Sequence, residues 1–188
     1  MAATKKTFES IVDGFIHRDG ISDLMHYLED ETDFFTAPAS TRYHGAYEGG
    51  LVNHSYKVFF NLIDEVNAYK TKYKVPIDSE SAAIVALFHD VCKANCYHKR
   101  TGKAGSSEPG YEYLDPLPLG HGEKSLYIVS KFMELSNWEA MAIRWHMGAF
   151  DNAFRGGERA LNTALEGCPL VLLLHVADMK ATYFDERG

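Results

Sequence analysis

The stretch Ala86-Leu87-Phe88-His89-Asp90-Val91-Cys92-Lys93 runs an apolar helical pattern straight into a histidine and an aspartate side by side. Before it, Ile84, Val85, Leu87 and Phe88 continue an apolar segment that starts after Pro76, with Asp78 or Ser79 placed to cap its helix. Adjacent side chains on a helix project about 100° apart. His89 and Asp90 can therefore reach one metal ion from a helix end that apolar residues anchor in a core. Taken alone, the dipeptide reads more readily as a solvated pair at a helix end. Its neighbours along the chain must decide.

Those neighbours are helical in pattern. Phe8, Ile11, Val12, Phe15 and Ile16 recur at three- and four-residue steps, and after Asp19-Gly20 so do Ile21, Leu24, Met25 and Leu28. A long helix is expected over 51–73, with Val52, Tyr56, Phe59, Phe60, Ile63 and Val66 on one stripe. Further helices are expected at about 120–134, 137–147 and 168–185, with a glycine-rich connection around Gly156-Gly157. The 97–119 segment is different, rich in Gly, Ser, Pro and Tyr, and Tyr111-Glu112-Tyr113 reads as a short strand. The fold class is all-α, a single domain over 1–188. Residues 1–40 form an N-terminal helical extension, 41–188 the core, and a small loop or β insertion lies around 97–119.

Composition narrows the function. The 188 residues are 46% hydrophobic and 24% charged, which excludes disorder and suits one globular domain. The formal charge of −7 lacks the broad positive field of a non-specific nucleic-acid binder. Three cysteines (Cys92, Cys96 and Cys168) do not make a disulfide framework, and a lone C-x-x-x-C does not make a zinc ribbon. The most apolar run, Cys168 to Ala177, is far short of the roughly 20 residues that span a bilayer. A cytoplasmic protein without a membrane partner is the expectation.

Nine histidines are many for this length, and their placement says more than their number. His54 follows Gly49-Gly50 near the start of the long helix, His121 opens a helix after Gly120, and His146 closes one after Arg144-Trp145. Asp178 lies inside Leu172-Leu173-Leu174-His175-Val176-Ala177-Asp178-Met179, where a carboxylate needs a partner or a cation.

In this order (H, HD, H, H, D) the chain resembles the HD-domain superfamily of metal-dependent phosphohydrolases, an all-helical group, from about Tyr43 to Ala181. The pieces that carry the resemblance are Gly49-Gly50-Leu51-Val52-Asn53-His54, His89-Asp90-x-x-Lys93 and Ala177-Asp178. The local wording looks most like the HD domains attached to bacterial 3′→5′ exoribonucleases. The 188 residues leave no room for the nucleic-acid-binding domain those carry, so a small nucleotide or other phosphoester is expected rather than a polymer. The resemblance implies His54, His89, Asp90 and Asp178 around one divalent ion. It implies His121 and His146 around a second, with Asp90 bridging. Imidazole and carboxylate together suit iron, manganese, nickel, cobalt or zinc; an all-oxygen magnesium cage does not match four histidines, although magnesium itself stays open. Two such ions clamp a phosphoryl oxygen during in-line displacement.

The resemblance places the counterpart of Lys93 close to the metal centre. Asp90 and Lys93 are accordingly the catalytic candidates, with Lys93 directed at a substrate phosphate; a solvated lysine is the alternative. Substrate binding is assigned to His44, Lys93 and Arg144, with Lys180 a further source of positive charge. His175 reads as a core histidine bonded to a carbonyl, or else as a support for Asp178. Cys92 and Cys96 read as buried, inert thiols, and His17, His26 and His98 as surface. Lys99, Arg100 and Lys103 lie in the long 97–119 segment, which is placed to meet an anionic substrate. The same six-ligand order also occurs in diiron oxygenases of the myo-inositol oxygenase and phosphonate-cleaving type. A non-catalytic nucleotide-binding protein is the third class, and the full ligand set speaks against it. The N-terminal stripe from Phe8 to Leu28 either caps the core or forms a homodimer face.

Overall fold

The computed structural model describes residues 4–100 and 110–186. Helix α1 (Lys5–Phe15) begins at Thr4, whose hydroxyl and that of Thr7 cap each other's backbone amides. After Gly20 come α2 (Ile21–His26) and a π turn over Tyr27–Glu31. The stripe of these elements turns inward: Phe8, Val12, Ile16, Leu24 and Leu28 are buried in the main core, where each is worth about 1.5–3 kcal/mol. Phe8 stands edge-on to Phe34 and Phe88, tying the extension to the helix that ends at His89.

Helix α3 (Gly50–Tyr73) ends at Lys74, a non-glycine residue in the left-handed region. Asp78 is the cap of α4 (Ser79–Phe88), accepting from the Ser81 amide at 2.9 Å. From Ala82 to Phe88 every residue of α4 is fully buried. A helix apolar all round must be surrounded, and α4 is enclosed by α1, α3, α6 (Asn137–Trp145) and α9 (Pro169–Lys180). Between them α5 (His121–Ser130) packs against α6 and against the 3₁₀ turn Val91–Lys93 that follows α4.

The insertion is a two-stranded antiparallel hairpin, β1 (Tyr97–Lys99) with β2 (Tyr111–Tyr113), registered Tyr97 to Tyr113. The expected strand is thus present, and its partner is Tyr97–Lys99. Lys103 lies outside the described residues. Past the hairpin, buried Lys124 of α5 holds Asp115 at 2.5 Å, which fixes the return of the chain. Two short helices, α7 (Asn152–Arg155) and α8 (Ala160–Gly167), flank Gly156-Gly157, where the sequence reading has a connection. Asp151 caps α7 through its side chain. The last expected helix divides: α9 stops at Lys180 and a π turn occupies Ala181–Asp185. Among the described residues no single helix is long and apolar enough to cross a membrane.

Candidate metal centre

Four elements deliver the site. His54 comes from the second turn of α3, His89 caps the C-terminus of α4, His146 caps the C-terminus of α6, and Asp178 projects from α9. His121 opens α5. Asp90 is not on the helix, as adjacency on α4 had implied: its backbone has left helical geometry (φ −109°, ψ 13°) to begin the 3₁₀ turn. Residues i and i+3 eclipse in such a turn, which places the Lys93 ammonium 2.6 Å from Asp90 Oδ2.

Two close approaches bring the histidines together. Gly49 is in the left-handed region (φ +79°), and a Cβ on Gly50 would sit 1.9 Å from the Gly45 carbonyl oxygen, so the entry to α3 needs both glycines. A Cβ on Gly122 would lie 2.1 Å from the Arg144 carbonyl oxygen. Glycine there lets α5 press against the end of α6, and the His121 and His146 rings come within 5.0 Å.

Asp90 is the hub. Its Oδ1 is 2.7 Å from His121 Nε2 and 3.6 Å from His146 Nε2; its Oδ2 is 3.5 Å from both His54 Nε2 and His89 Nε2. Asp178 Oδ1 is 3.2 Å from His54 Nε2. The donor sets His54–His89–Asp90, His89–His146–Asp178 and Asp90–His121–His146 each fall within 4.8 Å. All six residues that the resemblance implies as ligands therefore meet in one place.

The tautomers are fixed by what the outer nitrogens touch. His89 Nδ1 donates to the Ala86 carbonyl at 2.8 Å and His146 Nδ1 to that of Ile143 at 2.7 Å. A carbonyl can only accept, so Nδ1 bears the proton and Nε2 is the nitrogen left to bind an ion. Among the described residues, Nε2 of His54, His89 and His146 is buried without a hydrogen-bond partner. Burial drives the His89 imidazole down to about 3, which keeps it neutral. Burial opposes ionisation of Asp90, but Lys93, His89 and His121 hold it well below the usual carboxylate range. At His54 burial alone would lower the pKa, and the Asp178 and Glu186 carboxylates beside it carry it up to about 9. Three buried imidazole nitrogens converge on two ionised carboxylates, and at His89, whose neutral ring turns a lone pair toward Asp90, the two repel unless a cation lies between them. The donor set, nitrogen with oxygen, fits a divalent transition ion.

Solvent reaches the cluster where His121, Asp178 and Lys93 keep part of their surface exposed. His44 flanks that side, its ring 5.1 Å from that of His54; burial, and then the positive charge of Lys93, push its pKa down to about 4. Arg144 is elsewhere engaged. It pairs with Glu123 at 2.6 Å and Asp151 at 3.0 Å and lies over the Trp145 ring, so its charge is already spent on protein carboxylates. These pairs give Arg144 a structural role at the junction of α5 and α6. Lys180 likewise pairs with Glu65. His175 Nδ1 donates to the His146 carbonyl at 2.7 Å, the core role read from the sequence. Cys92 and Cys96 are buried, although Cys92 Sγ lies 3.3 Å from His121 Nδ1. Lys99 pairs with Glu48, and His17, His26 and His98 are exposed.

Glu186 is the member the sequence reading missed. Its carboxylate, almost fully buried, places both oxygens 3.3 Å from His54 Nδ1. It stands in a polar stretch near the C-terminus, which reads as solvated. The available signal was its spacing, eight residues or about two turns beyond Asp178.

The HD domain family model matches residues 51–181, more than half of the chain. Neither the curated proteins nor the solved structures yield a match. The HD domain defines a superfamily of metal-dependent phosphohydrolases, and the match covers all six convergent residues in their expected order. With its helical core and its His/Asp cluster, this chain belongs to the HD-domain family.

Proposed function

We propose that the chain is a hydrolase of small phosphoesters, a nucleotide or related phosphomonoester or diester, working through a dinuclear centre. The observation that carries this reading is the set of three buried, unpartnered imidazole nitrogens facing Asp90 and Asp178. His54, His89, Asp90 and Asp178 would hold one ion; His121 and His146, sharing Asp90, would hold the other. Ions bound there would supply Lewis acidity toward a phosphoryl oxygen and lower the pKa of water.

The protein's own groups do the positioning. Asp90 Oδ1 and Oδ2 face different histidines, so one carboxylate serves both halves of the cluster. Lys93 touches Asp90 with one of its three ammonium hydrogens, leaving donors for a phosphate oxygen approaching from the open side. His44 stays neutral there and offers a hydrogen-bonding edge without adding charge. The apolar residues of α4 behind His89 exclude water from the rear of the cluster.

Hydrolysis of bis(p-nitrophenyl) phosphate with added Mn²⁺, followed by a panel of nucleotides, tests the reading. Turnover should require metal, and Asp90→Ala should lower it by about 10²–10³-fold. Equal metal-dependent turnover by Asp90→Ala would overturn the assignment. Iron-dependent oxygen uptake in place of hydrolysis would move the chain to the oxygenase class.

A further inference from the structure

We propose that Glu186 is a positioning residue that makes the C-terminal turn part of the metal centre, by fixing and enriching the His54 imidazole; this rests on the metal-dependent reading above. His89 and His146 each sit at a helix C-cap and use a carbonyl three residues back to hold Nδ1. Carbonyls are free at helix ends and committed inside helices. His54 lies inside α3, where its own helix has no free carbonyl for it. Its Nδ1 meets the Glu186 carboxylate instead.

That carboxylate is held there deliberately by the fold. Its side chain is 2% exposed, and a carboxyl group so buried needs partners. The neighbouring residue supplies the anchor: Lys57 Nζ donates to the Asp185 carbonyl at 2.9 Å and Asn61 Nδ2 to Asp185 Oδ2 at 2.8 Å. Lys57 also lies 3.8 Å from Glu186. His54, Lys57 and Asn61 are i, i+3 and i+7 on α3, one face that grips Asp185 and Glu186. A carboxylate on the Nδ1–H orients Nε2 toward Asp90 and Asp178 and raises the basicity of the ring as a ligand, effects that typically change metal affinity by 10–100-fold. A carbonyl, as at His89 and His146, supplies the orientation with less charge. His54 is thus the histidine with the strongest electronic support in the cluster.

The test uses the full chain with Co²⁺ as probe, titrated against a competing chelator, with the visible absorption of bound Co²⁺ and thermal unfolding of the metal-free protein as parallel readouts. Glu186→Ala should weaken binding by about 10–100-fold. Glu186→Gln, which keeps an acceptor at the same reach without the charge, should retain the metal-free unfolding temperature and show a smaller loss with a shifted Co²⁺ band. The number of ions bound at saturation should stay that of the wild type. Unchanged affinity and spectrum in Glu186→Gln and Glu186→Ala would overturn the proposal while leaving the metal centre intact. Loss of one ion at saturation would also overturn it, making Glu186 a ligand, as its nearness to His44 and His54 would allow. A wild-type protein that binds no Co²⁺ would remove the metal reading itself and this inference with it.

Discussion

His89 and His146 meet the same local problem in the same way: at the last turn of a helix, a ring nitrogen takes up a carbonyl the helix has left free, and the other nitrogen is turned inward. The cost is a buried ring nitrogen without a hydrogen-bond partner among the described residues, and the metal-free protein bears it at three histidines. Binding an ion should therefore stabilise the fold directly. At a metal concentration one hundred times Kd, wild-type stability should rise by about 2.7 kcal/mol. His89→Ala and Asp178→Asn should lose most of that gain, as thermal unfolding with and without Mn²⁺ will show. An equal shift in the variants would place the stabilising ion elsewhere. Residues of this kind are readable from sequence because a His or Asp inside an apolar run has few alternatives to a partner. Asp178 within Leu172–Met179 declared itself that way, whereas His89 after Phe88 needed the other histidines along the chain to be read as more than a solvated helix end. Glu186 did not, because its polar neighbours resemble any solvated terminus and its burial arises only from the tertiary contact with α3. Arg144 shows the converse: its position near His146 is visible in the sequence, but Glu123 and Asp151, which pair with it, are brought to it by packing.

The elements carry the geometry through two close approaches, and these were only half visible. The Gly49-Gly50 pair signalled a turn, and the helices α3, α4, α5, α6 and α9 fall near the spans that periodicity predicts. The breaks inside those spans were hidden. The departure of Asp90 from α4 and the change to a π turn at Ala181 depend on backbone details that a 3.6-residue pattern passes over. Residues 152–167 lacked a long stripe because α7 and α8 are too short to show one. Gly122 gives the decisive test at this scale. A methyl group there would collide with the Arg144 carbonyl at the end of α6. Gly122→Ala should cost about 1–3 kcal/mol through overpacking. It should also weaken metal binding, since separating α5 from α6 separates His121 from His146. A variant destabilised by this amount yet binding Co²⁺ with wild-type affinity would show that the two helices can part without moving the ligands.

For the molecule as a whole, the N-terminal extension belongs to the core and is locked to it by a buried ionic node. Arg18, between α1 and α2, donates to Glu139 at 2.6 Å and to Glu80 at 3.2 Å, joining the extension to the first turns of α4 and α6. The Glu139 side chain has no exposure and also accepts from the Ser81 hydroxyl at 2.6 Å and the Ser136 amide at 2.7 Å. Burial opposes its ionisation, but Arg18, Ser81 and the Ser136 amide together hold its pKa below the ordinary 4.5. The sign follows. A carboxylate with a depressed folded pKa contributes stability that is fully present above about 4.5 and is lost as the pH falls through the folded value. Arg18→Met should therefore cost about 2–3 kcal/mol at pH 7, because it strands a buried charge. In a chain of this size that corresponds to a fall in Tm of about 5–10 °C. The gap should narrow progressively below pH 4.5, where protonation of Glu139 removes the charge that Arg18 offsets. Chemical denaturation of both proteins from pH 7 to pH 3 measures the difference. A gap that stayed constant across that range would mean that Arg18 acts by packing its aliphatic stem against the core, with the ion pair contributing little.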